Sequence, residues 1–595
     1  MKVLMTGNEA VARGAYEAGI SYASAYPGTP STEILENLAE YKGEIIAEWA
    51  TNEKVALETA IGASIAGARS LAAMKHVGLN VAADPLFTFA YTGVNGALVL
   101  VSADDPGMHS SQNEQDNRNY AKFAKLPMLE PSDSQEAKDM VVAAVEISER
   151  FNTPVLLRMT TRVNHSKTLV QWGDAQEAVK KPYVKNIRKY HAIPAVARVL
   201  HEELEERLLH LEAFSNETPL NRIEWHDKAV GIIASGISYE YAREVFGDTA
   251  SYLKVGFSFP LPMAKIREFA AQVGTLYVIE ELEPFMEEQI KAAGIPCVGK
   301  EKVPRLGELS TDILRRVFFG TTNDVVTYER ADVAARPPVL CAGCPHRGFY
   351  YELGKRKNIM ITGDIGCYGL GALEPLNAMD SSICMGASIS MGHGAQQVFE
   401  KFGETMRTVA VIGDSTFFHT GMNSLLNASY NRSRSVTCIL DNRITGMTGH
   451  QENPGTGFTL QGEPTKIIEI QPLVEAMGID HVRTINPLSL NAVQEALDWA
   501  LSVDGPSVII TRWPCVLKKA SVHDQKEFGN WKGQCVVEAD ACVGCRICLK
   551  TGCPALQFDP LTTKTTIEKG SCVGCEVCLQ VCPVKAIQKV GEAHV

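Results

Sequence analysis

Along roughly the first 160 positions, short runs of β-branched and other apolar residues alternate with longer stretches in which apolar residues return every three to four places. That rhythm predicts a helix near 8–19, a strand at 21–26, a turn at Tyr26-Pro27-Gly28-Thr29-Pro30 and a helix opened by Ser31 or Thr32. Further strands are predicted at 44–48, 71–75, 97–103 and 154–159. Strands separated by helix-length segments indicate a parallel α/β sheet. Residues 171–190 are polar and lysine-rich and read as a linker. A second α/β unit begins with the strand and Gly-containing turn at 228–236 and runs to Val298 through strands near 252–255 and 275–280; residues 303–336 link it onward. Pro337-Pro338 punctuates the chain before a third α/β unit, with a buried strand at 407–412, a helix at 421–431 and a strand at 435–440. The tetrapeptide CVGC then occurs at 542 and again at 572, a period of 30 residues. The expected fold class is multi-domain α/β: parallel-sheet units at 1–170, 190–330 and 337–520, and a cysteine-rich module at 530–595.

At 595 residues the chain is too long for one hydrophobic core, and 45% hydrophobic with 21% charged residues is ordinary for folded domains. A net charge of -12 argues against a nucleic-acid partner. Within 541–595, however, six Lys/Arg face four Asp/Glu. That local balance suits either a solvated surface or the docking of an acidic electron carrier. The first residues, MKVLMTGNEA, contain no apolar signal core. The most apolar helix candidate, around 55–74, carries Glu58 and Arg69, so no membrane span is expected. Cysteines in metal-cluster spacing, with the others scattered singly, point to a reducing compartment, and the expected location is the cytoplasm.

Eight of the sixteen cysteines fall within 41 residues, as Cys542-x2-Cys545-x2-Cys548-x4-Cys553-Pro and Cys572-x2-Cys575-x2-Cys578-x3-Cys582-Pro. Two structural zinc sites would also need four cysteines each. Zinc ribbons, however, rarely set three at two-residue intervals and close each run with Cys-Pro. The spacing matches bacterial-type ferredoxins, in which the last cysteine of each run serves the other cluster. By that rule Cys542, Cys545, Cys548 and Cys582 hold one 4Fe-4S cube, and Cys572, Cys575, Cys578 and Cys553 hold the second. The first run has one residue more than usual before Cys553, which bears on the geometry and potential of the cube that uses it.

In the third unit, the strand at 407–412 delivers Gly413-Asp414-Ser415 to its carboxyl end, and the next strand delivers Asp441-Asn442 to the same sheet edge. The Asp414 carboxylate, the Asn442 amide oxygen and the Ile444 carbonyl are oxygen ligands suited to Mg2+ shared with a diphosphate. A Gly-Asp after a strand, taken alone, is equally an ordinary βα turn.

Gly413-Asp414, about 25 intervening residues and Asp441-Asn442 resemble the thiamine diphosphate motif. Thr445-Gly-Met-Thr-Gly-His-Gln451 resembles the loop that follows it in 2-oxoacid:ferredoxin oxidoreductases, with Ser415 and Asp441 standing where glycine and asparagine are more widespread. The resemblance makes Glu53, in Thr51-Asn52-Glu53-Lys54-Val55-Ala56, the glutamate that activates the aminopyrimidine. By itself it reads as a first-turn acid on a helix, and Glu48 and Glu58 are alternatives. Tyr26-Pro27-Gly28-Thr29-Pro30-Ser31 resembles the substrate-side turn of that family and makes Thr29 a contact to the 2-oxo acid. Lys75, His76, His109 and Arg118 are candidates to hold the carboxylate and are equally readable as surface or structural residues. Cys341-Ala-Gly-Cys344-Pro-His346-Arg347 and Gly363-Asp-Ile-Gly-Cys367 resemble the entry to the thiamine-binding unit. In some relatives such cysteines hold a further cluster. No fourth ligand is evident, since Cys384 and Cys438 read as core residues, so two cubes are expected.

The match runs over nearly the whole chain: pyrimidine-binding unit, transketolase C-terminal-like unit, diphosphate-binding unit, ferredoxin module. In that order the chain is similar to the alpha subunits of the indolepyruvate ferredoxin oxidoreductase family. The resemblance implies thiamine diphosphate, Mg2+ and two 4Fe-4S clusters. It also implies an arylpyruvate substrate, capture of the acyl product by coenzyme A, and electrons delivered to ferredoxin. A separate smaller, gamma-type beta subunit is implied, in a heterodimer or heterotetramer. Two rival readings are a non-oxidative thiamine-dependent decarboxylase or carboligase, which has no use for the cubes, and an electron-transfer subunit that retains an inactive thiamine fold.

Overall fold

The computed structural model of the protein describes residues 1–322, 337–529 and 533–590. The end of the expected link, 323–336, and positions 530–532 and 591–595 of the expected C-terminal module lie outside the described residues. The chain forms two compact units, Met1–Tyr328 and Glu329–Val595.

Among the described residues of the first unit, seven strands share one sheet, in the order Phe257–Phe259, Met128–Leu129, Val155–Thr160, Leu98–Asp104, Ser70–Lys75, Tyr22–Ala25, Ile46–Trp49. All neighbours run parallel except the first pair. The central strands are covered on both faces, which is why they read as nearly unbroken apolar runs. The strand Phe257–Phe259 comes from the stretch expected to form the second module, so the two stretches share one sheet as well as one unit. A further four-stranded sheet carries Thr275–Ile279, Val230–Ala234, Ser251–Val255 and, antiparallel at its edge, Asn221–Glu224. The helices are pinned at their starts by side chains. Thr6 and Glu9 form a capping box on Gly7–Glu17, and Asp133 accepts from Glu136 N at 2.8 Å at the start of Ser134–Phe151. Each such cap stabilises by about 1 kcal/mol.

The second unit is built on a wholly parallel six-stranded sheet, ordered Ser381–Ser382, Ile359–Gly363, Arg407–Gly413, Val436–Asp441, Ser507–Arg512, His481–Ile485. Its core joins Val409, Val411, Val436, Cys438, Leu440 and Ile509 to the helices on one face, and Ala410, Ile412, Ile439, Val508 and Ile510 to those on the other. The helix expected to begin at 421 starts directly after Gly413. A turn of α-helix, Asp414–Thr416, passes through a π-helical segment, Phe417–Gly421, into Met422–Tyr430. The cysteine-rich module has two small antiparallel ribbons, Gln534–Val537 with Ile587–Val590 and Leu556–Asp559 with Lys564–Ile567. Its duplication is visible in the backbone. Gly544 and Arg546 in one run, and Gly574 and Glu576 in the other, are left-handed at φ +69°, +59°, +71° and +63°, and each pair leads into a short helical turn.

No helix among the described residues is long and apolar enough to cross a membrane.

Candidate active site and cysteine sets

In the first unit, the turns after four adjacent parallel strands meet at their carboxyl ends, where open α/β sheets bind ligands. Glu53 is the first residue of the helix Glu53–Ile65, whose N-cap Asn52 accepts from Val55 N at 2.9 Å. Glu53 is only 4% exposed and packs so tightly on Gly78 that a Cβ there would lie 2.7 Å from Oε1. The alternatives are placed differently: Glu48 accepts from the Tyr22 hydroxyl, and Glu58 is exposed beside Lys54. The Thr29 carbonyl accepts from Ser110 Oγ at 3.3 Å. Lys75 lies along Gly28 and donates to Ser110 O at 3.1 Å, with its ammonium pushed below its usual pKa by burial. Asp105 gathers the same loop, accepting from Ser110 N, Ser111 Oγ and Thr161 Oγ1. The other carboxylate-holding candidates are engaged elsewhere. Arg118 is spent on Asp116 and Glu280, His109 pairs with Glu308 at the surface, and His76 bonds Asn113.

In the second unit, Asp414 follows directly on the strand Arg407–Gly413 and Asp441 ends its neighbour Val436–Asp441, and both are buried. Burial, with Asp441 beside it, pushes Asp414 up to about 7; burial raises Asp441 too. Asp441 has Arg512 Nε at 3.8 Å from its Oδ2, so of the two buried acids Asp414 is the one left to take up a further cation. The surroundings supply neutral oxygens. Asn442 Oδ1 accepts from Ile444 N at 3.2 Å, Ser415 Oγ accepts from Thr445 Oγ1 at 2.9 Å, and Asn453 donates to Asp414 Oδ2 at 3.2 Å. Gly413, Asp414, Ser415, Asn442 and Ile444 are thus brought into one neighbourhood. The donor set of carboxylate, amide and carbonyl fits Mg2+ with a diphosphate. Asn453 was missed because nothing marks it in the sequence except an Asn-Pro turn. His346, which the sequence marks only as part of the Cys341–Arg347 motif, also reaches the site; its Nε2 lies 3.4 Å from Asn442 Nδ2, and burial lowers it to about 4, so the ring is neutral.

Next to the acids stand the isolated cysteines, now with a fourth. Cys515 N donates to the Asn442 carbonyl at 2.9 Å, and its sulfur lies 3.7 Å from His450 Nε2. Burial, with the thiols of Cys515 and Cys341 nearby, raises Cys367 to about 11. Burial raises Cys344 to about 12 against the pull of His346 N–H and Arg347, with Cys515 and Cys341 adding to the rise. Cys515 is itself raised by burial, with Cys341 and Asp414 contributing. Gly343, between Cys341 and Cys344, lies against Val516, the neighbour of Cys515, and Gly446 lies against both Cys367 Sγ and Asn442 Nδ2, so Cys341, Cys344, Cys367 and Cys515 share one neighbourhood at the edge of the acid site. Cys438 is core, as expected, but Cys384 is exposed and not a core residue.

In the C-terminal module the last cysteine of each run lies by the other run. Cys575 is raised to about 11 by burial with Cys553 contributing, and Cys548 by burial with Cys545 and Cys582 contributing. A ninth cysteine, Cys535, donates its backbone N–H to Cys572 Sγ at 3.3 Å. Among the described residues no three His, Cys, Asp or Glu side chains close into a ready metal cage; the thiols stand as neighbours. Four thiols per neighbourhood, buried or half-buried except Cys341 and Cys545, are the donor set of an iron–sulfur cube.

Three family models match the chain: the thiamine-binding domain of pyruvate flavodoxin/ferredoxin oxidoreductase over 13–216, the C-terminal TPP-binding domain of thiamine pyrophosphate enzymes over 364–511, and a 4Fe-4S binding domain over 565–588. Indolepyruvate oxidoreductase subunit IorA of Pyrococcus abyssi is 42% identical over all of this chain and 98% of its own length. The chain belongs to the IorA family. IorA of Archaeoglobus fulgidus is 41% identical over 99% of this chain and 97% of its own. A more distant relative, ketoisovalerate oxidoreductase subunit VorB of Methanothermobacter marburgensis, is 26% identical over 54% of this chain. As an IorA-family protein the chain is a subunit of a thiamine diphosphate-dependent, iron–sulfur 2-oxoacid oxidoreductase.

Proposed function

We propose that this chain, with a separate smaller beta subunit, converts arylpyruvates, indolepyruvate among them, to the aryl-acyl-coenzyme A and carbon dioxide, passing two electrons singly to ferredoxin in the cytoplasm. The observation that carries the reading is the buried Asp414–Asp441 pair set beside a four-thiol neighbourhood in one compact unit. A non-oxidative decarboxylase has no use for that juxtaposition. The full-length relatives, named for indolepyruvate, favour that substrate class.

In this reading Asp414, Asn442 and the Ile444 carbonyl hold Mg2+ and through it the diphosphate, with Gly413 and Ser415 at the same strand end. Bound thiamine diphosphate supplies the carbon nucleophile and the electron sink for decarboxylation. Glu53, kept out of water, holds a proton at the aminopyrimidine, and Thr29 and Lys75 orient the 2-oxo acid. Cys542, Cys545, Cys548 and Cys582 hold one cube; Cys572, Cys575, Cys578 and Cys553 hold another. Cys341, Cys344, Cys367 and Cys515 hold a third, a revision of the two cubes expected from sequence. The functional division is into pyrimidine-binding (1–170), transketolase C-terminal-like (190–330), diphosphate-binding (337–520) and ferredoxin-like (530–595) segments, in a heterodimer or heterotetramer.

The test is the purified complex with an arylpyruvate, coenzyme A and a viologen. Coenzyme A-dependent dye reduction supports the reading. Carbon dioxide release without dye reduction makes the protein a simple decarboxylase, and neither makes it an electron-transfer subunit. Glu53→Gln should lower turnover by at least about 100-fold, the scale of a lost general acid–base group, with iron content unchanged. Full turnover in that variant rules out the role given to Glu53.

A further inference from the structure

Arg347 is 1% exposed and among the largest fully buried side chains of the protein. It sits in the first turn of the helix His346–Leu353, three residues after Cys344. Its guanidinium is a fork between the two cysteine-bearing segments. Nη2 donates to the Leu340 and Cys341 carbonyls at the isolated set, and Nη1 donates to Thr551 O at 2.8 Å, two residues before Cys553 in the C-terminal module. Nε has no hydrogen-bond partner. All of its hydrogen bonds go to backbone carbonyls, and among the described residues no Asp or Glu side chain pairs with it. A buried cation without a counter-charge is costly. Val573, in the turn between Cys572 and Cys575, packs against Gly343, between Cys341 and Cys344, so the two cysteine-bearing segments also touch there.

We propose that Arg347 is a cation shared by two iron–sulfur cubes, the one on Cys341, Cys344, Cys367 and Cys515 and the one on Cys572, Cys575, Cys578 and Cys553. The thiolate-ligated cubes are its counter-ions, and it acts as a positioning residue for electron passage between them. This rests on the reading that both sets hold cubes. The step it serves is the movement of one electron: the donor cube is oxidised, the acceptor cube is reduced, and no bond forms or breaks. Each reduction adds a negative charge next to the guanidinium, so Arg347 stabilises the reduced state of both cubes and raises both potentials. The cube on Cys542, Cys545, Cys548 and Cys582 is reached only one step further away, through the Thr551 hydroxyl that donates to the Cys548 carbonyl at 2.7 Å, and serves as an internal reference.

The test uses the complete complex, with iron and sulfide counted and each cube followed by an EPR-monitored redox titration. Arg347→Gln keeps a hydrogen-bonding group and removes the charge. It should retain its iron, shift the two flanking cubes to lower potential and leave the reference cube unmoved. Arg347→Lys keeps the charge and should leave all three potentials near wild type. Full iron with unmoved potentials in Arg347→Gln, or an equal shift in all three cubes, overturns the proposal. Should Arg347→Gln fail to assemble, Arg347→Lys decides. Retained potentials support a role for the charge, and a fall despite the retained charge overturns it. Wild-type complex with iron on the C-terminal eight cysteines alone would defeat the underlying reading, and the iron count separates that failure from the others.

Discussion

The two groups of cysteines in the second unit are assembled by different means. In the C-terminal module, steps of two residues and paired left-handed turns at Gly544, Arg546, Gly574 and Glu576 put the thiols together over a few residues of backbone. Cys341, Cys344, Cys367 and Cys515 arrive from three distant stretches. One lies ahead of the helix His346–Leu353, one in the turn after Ile359–Gly363, and one beyond Ser507–Arg512, the last two strands belonging to the same parallel sheet. The first kind of set is local and has little else to hold it. The buried hydrophobic cluster of its module is Cys535, Cys548, Leu556, Cys578 and Ile587, so three of its five members are thiols. The second kind borrows a large sheet that folds for its own reasons.

That contrast predicts its largest consequence on removal of iron. Chelation under reducing conditions should melt the C-terminal ribbons, because metal binding there is coupled to folding, while the parallel sheet persists. Amide hydrogen exchange reads both at once. Protection at 534–537, 556–559, 564–567 and 587–590 should collapse, and protection at 407–413 and 436–441 should hold. Equal loss in both regions, or in neither, would erase the distinction between a locally built set and a borrowed one.

A smaller and more selective effect is expected from Cys515→Ser. If the sheet brings four thiols to one cube, this single change should remove one cube's iron, about a third of the total, and leave the EPR spectra of the C-terminal cubes unaltered. Iron content equal to wild type would return the isolated cysteines to a structural role.

What could be read from the chain before folding divides along the same line. Strands buried on both faces announce themselves: 407–412 and 97–103 are apolar almost throughout, and the structure places strands at Arg407–Gly413 and Leu98–Asp104. The pair Lys2–Thr6 and Lys167–Gln171 mixes apolar with polar residues and buries only Met5 and Val170, so it carries no such signature. The helix after Gly413 was placed late because Asp414, Ser415 and Thr416 are residue types that favour turns and caps, whereas here they are the helix itself. Among the chemical residues, the eight clustered cysteines, Asp414 and Asn442 stand at recognisable spacings. Cys515 and Asn453 do not, because their proximity to the rest depends on strand order and on loop length, which no local window contains.

The smallest expected effect concerns the seam between the two sets. Gly343, in the loop between Cys341 and Cys344, has φ +73°, and a Cβ there would fall 2.0 Å from Val573 Cγ2. Gly343→Ala therefore faces two penalties, a left-handed backbone and a steric overlap with the turn of the neighbouring module. Together they should lower stability by about 1–3 kcal/mol, read as a fall in Tm of the iron-loaded protein. The two penalties separate in a double-mutant cycle with Val573→Ala, which removes the overlapping methyls and leaves the backbone strained. Partial recovery in the double variant, beyond the sum of the single effects, would show that the loop of the isolated set is seated on the C-terminal module through this contact. Strict additivity would mean that the strain lies in the loop alone and that the two sets, although close, are held independently.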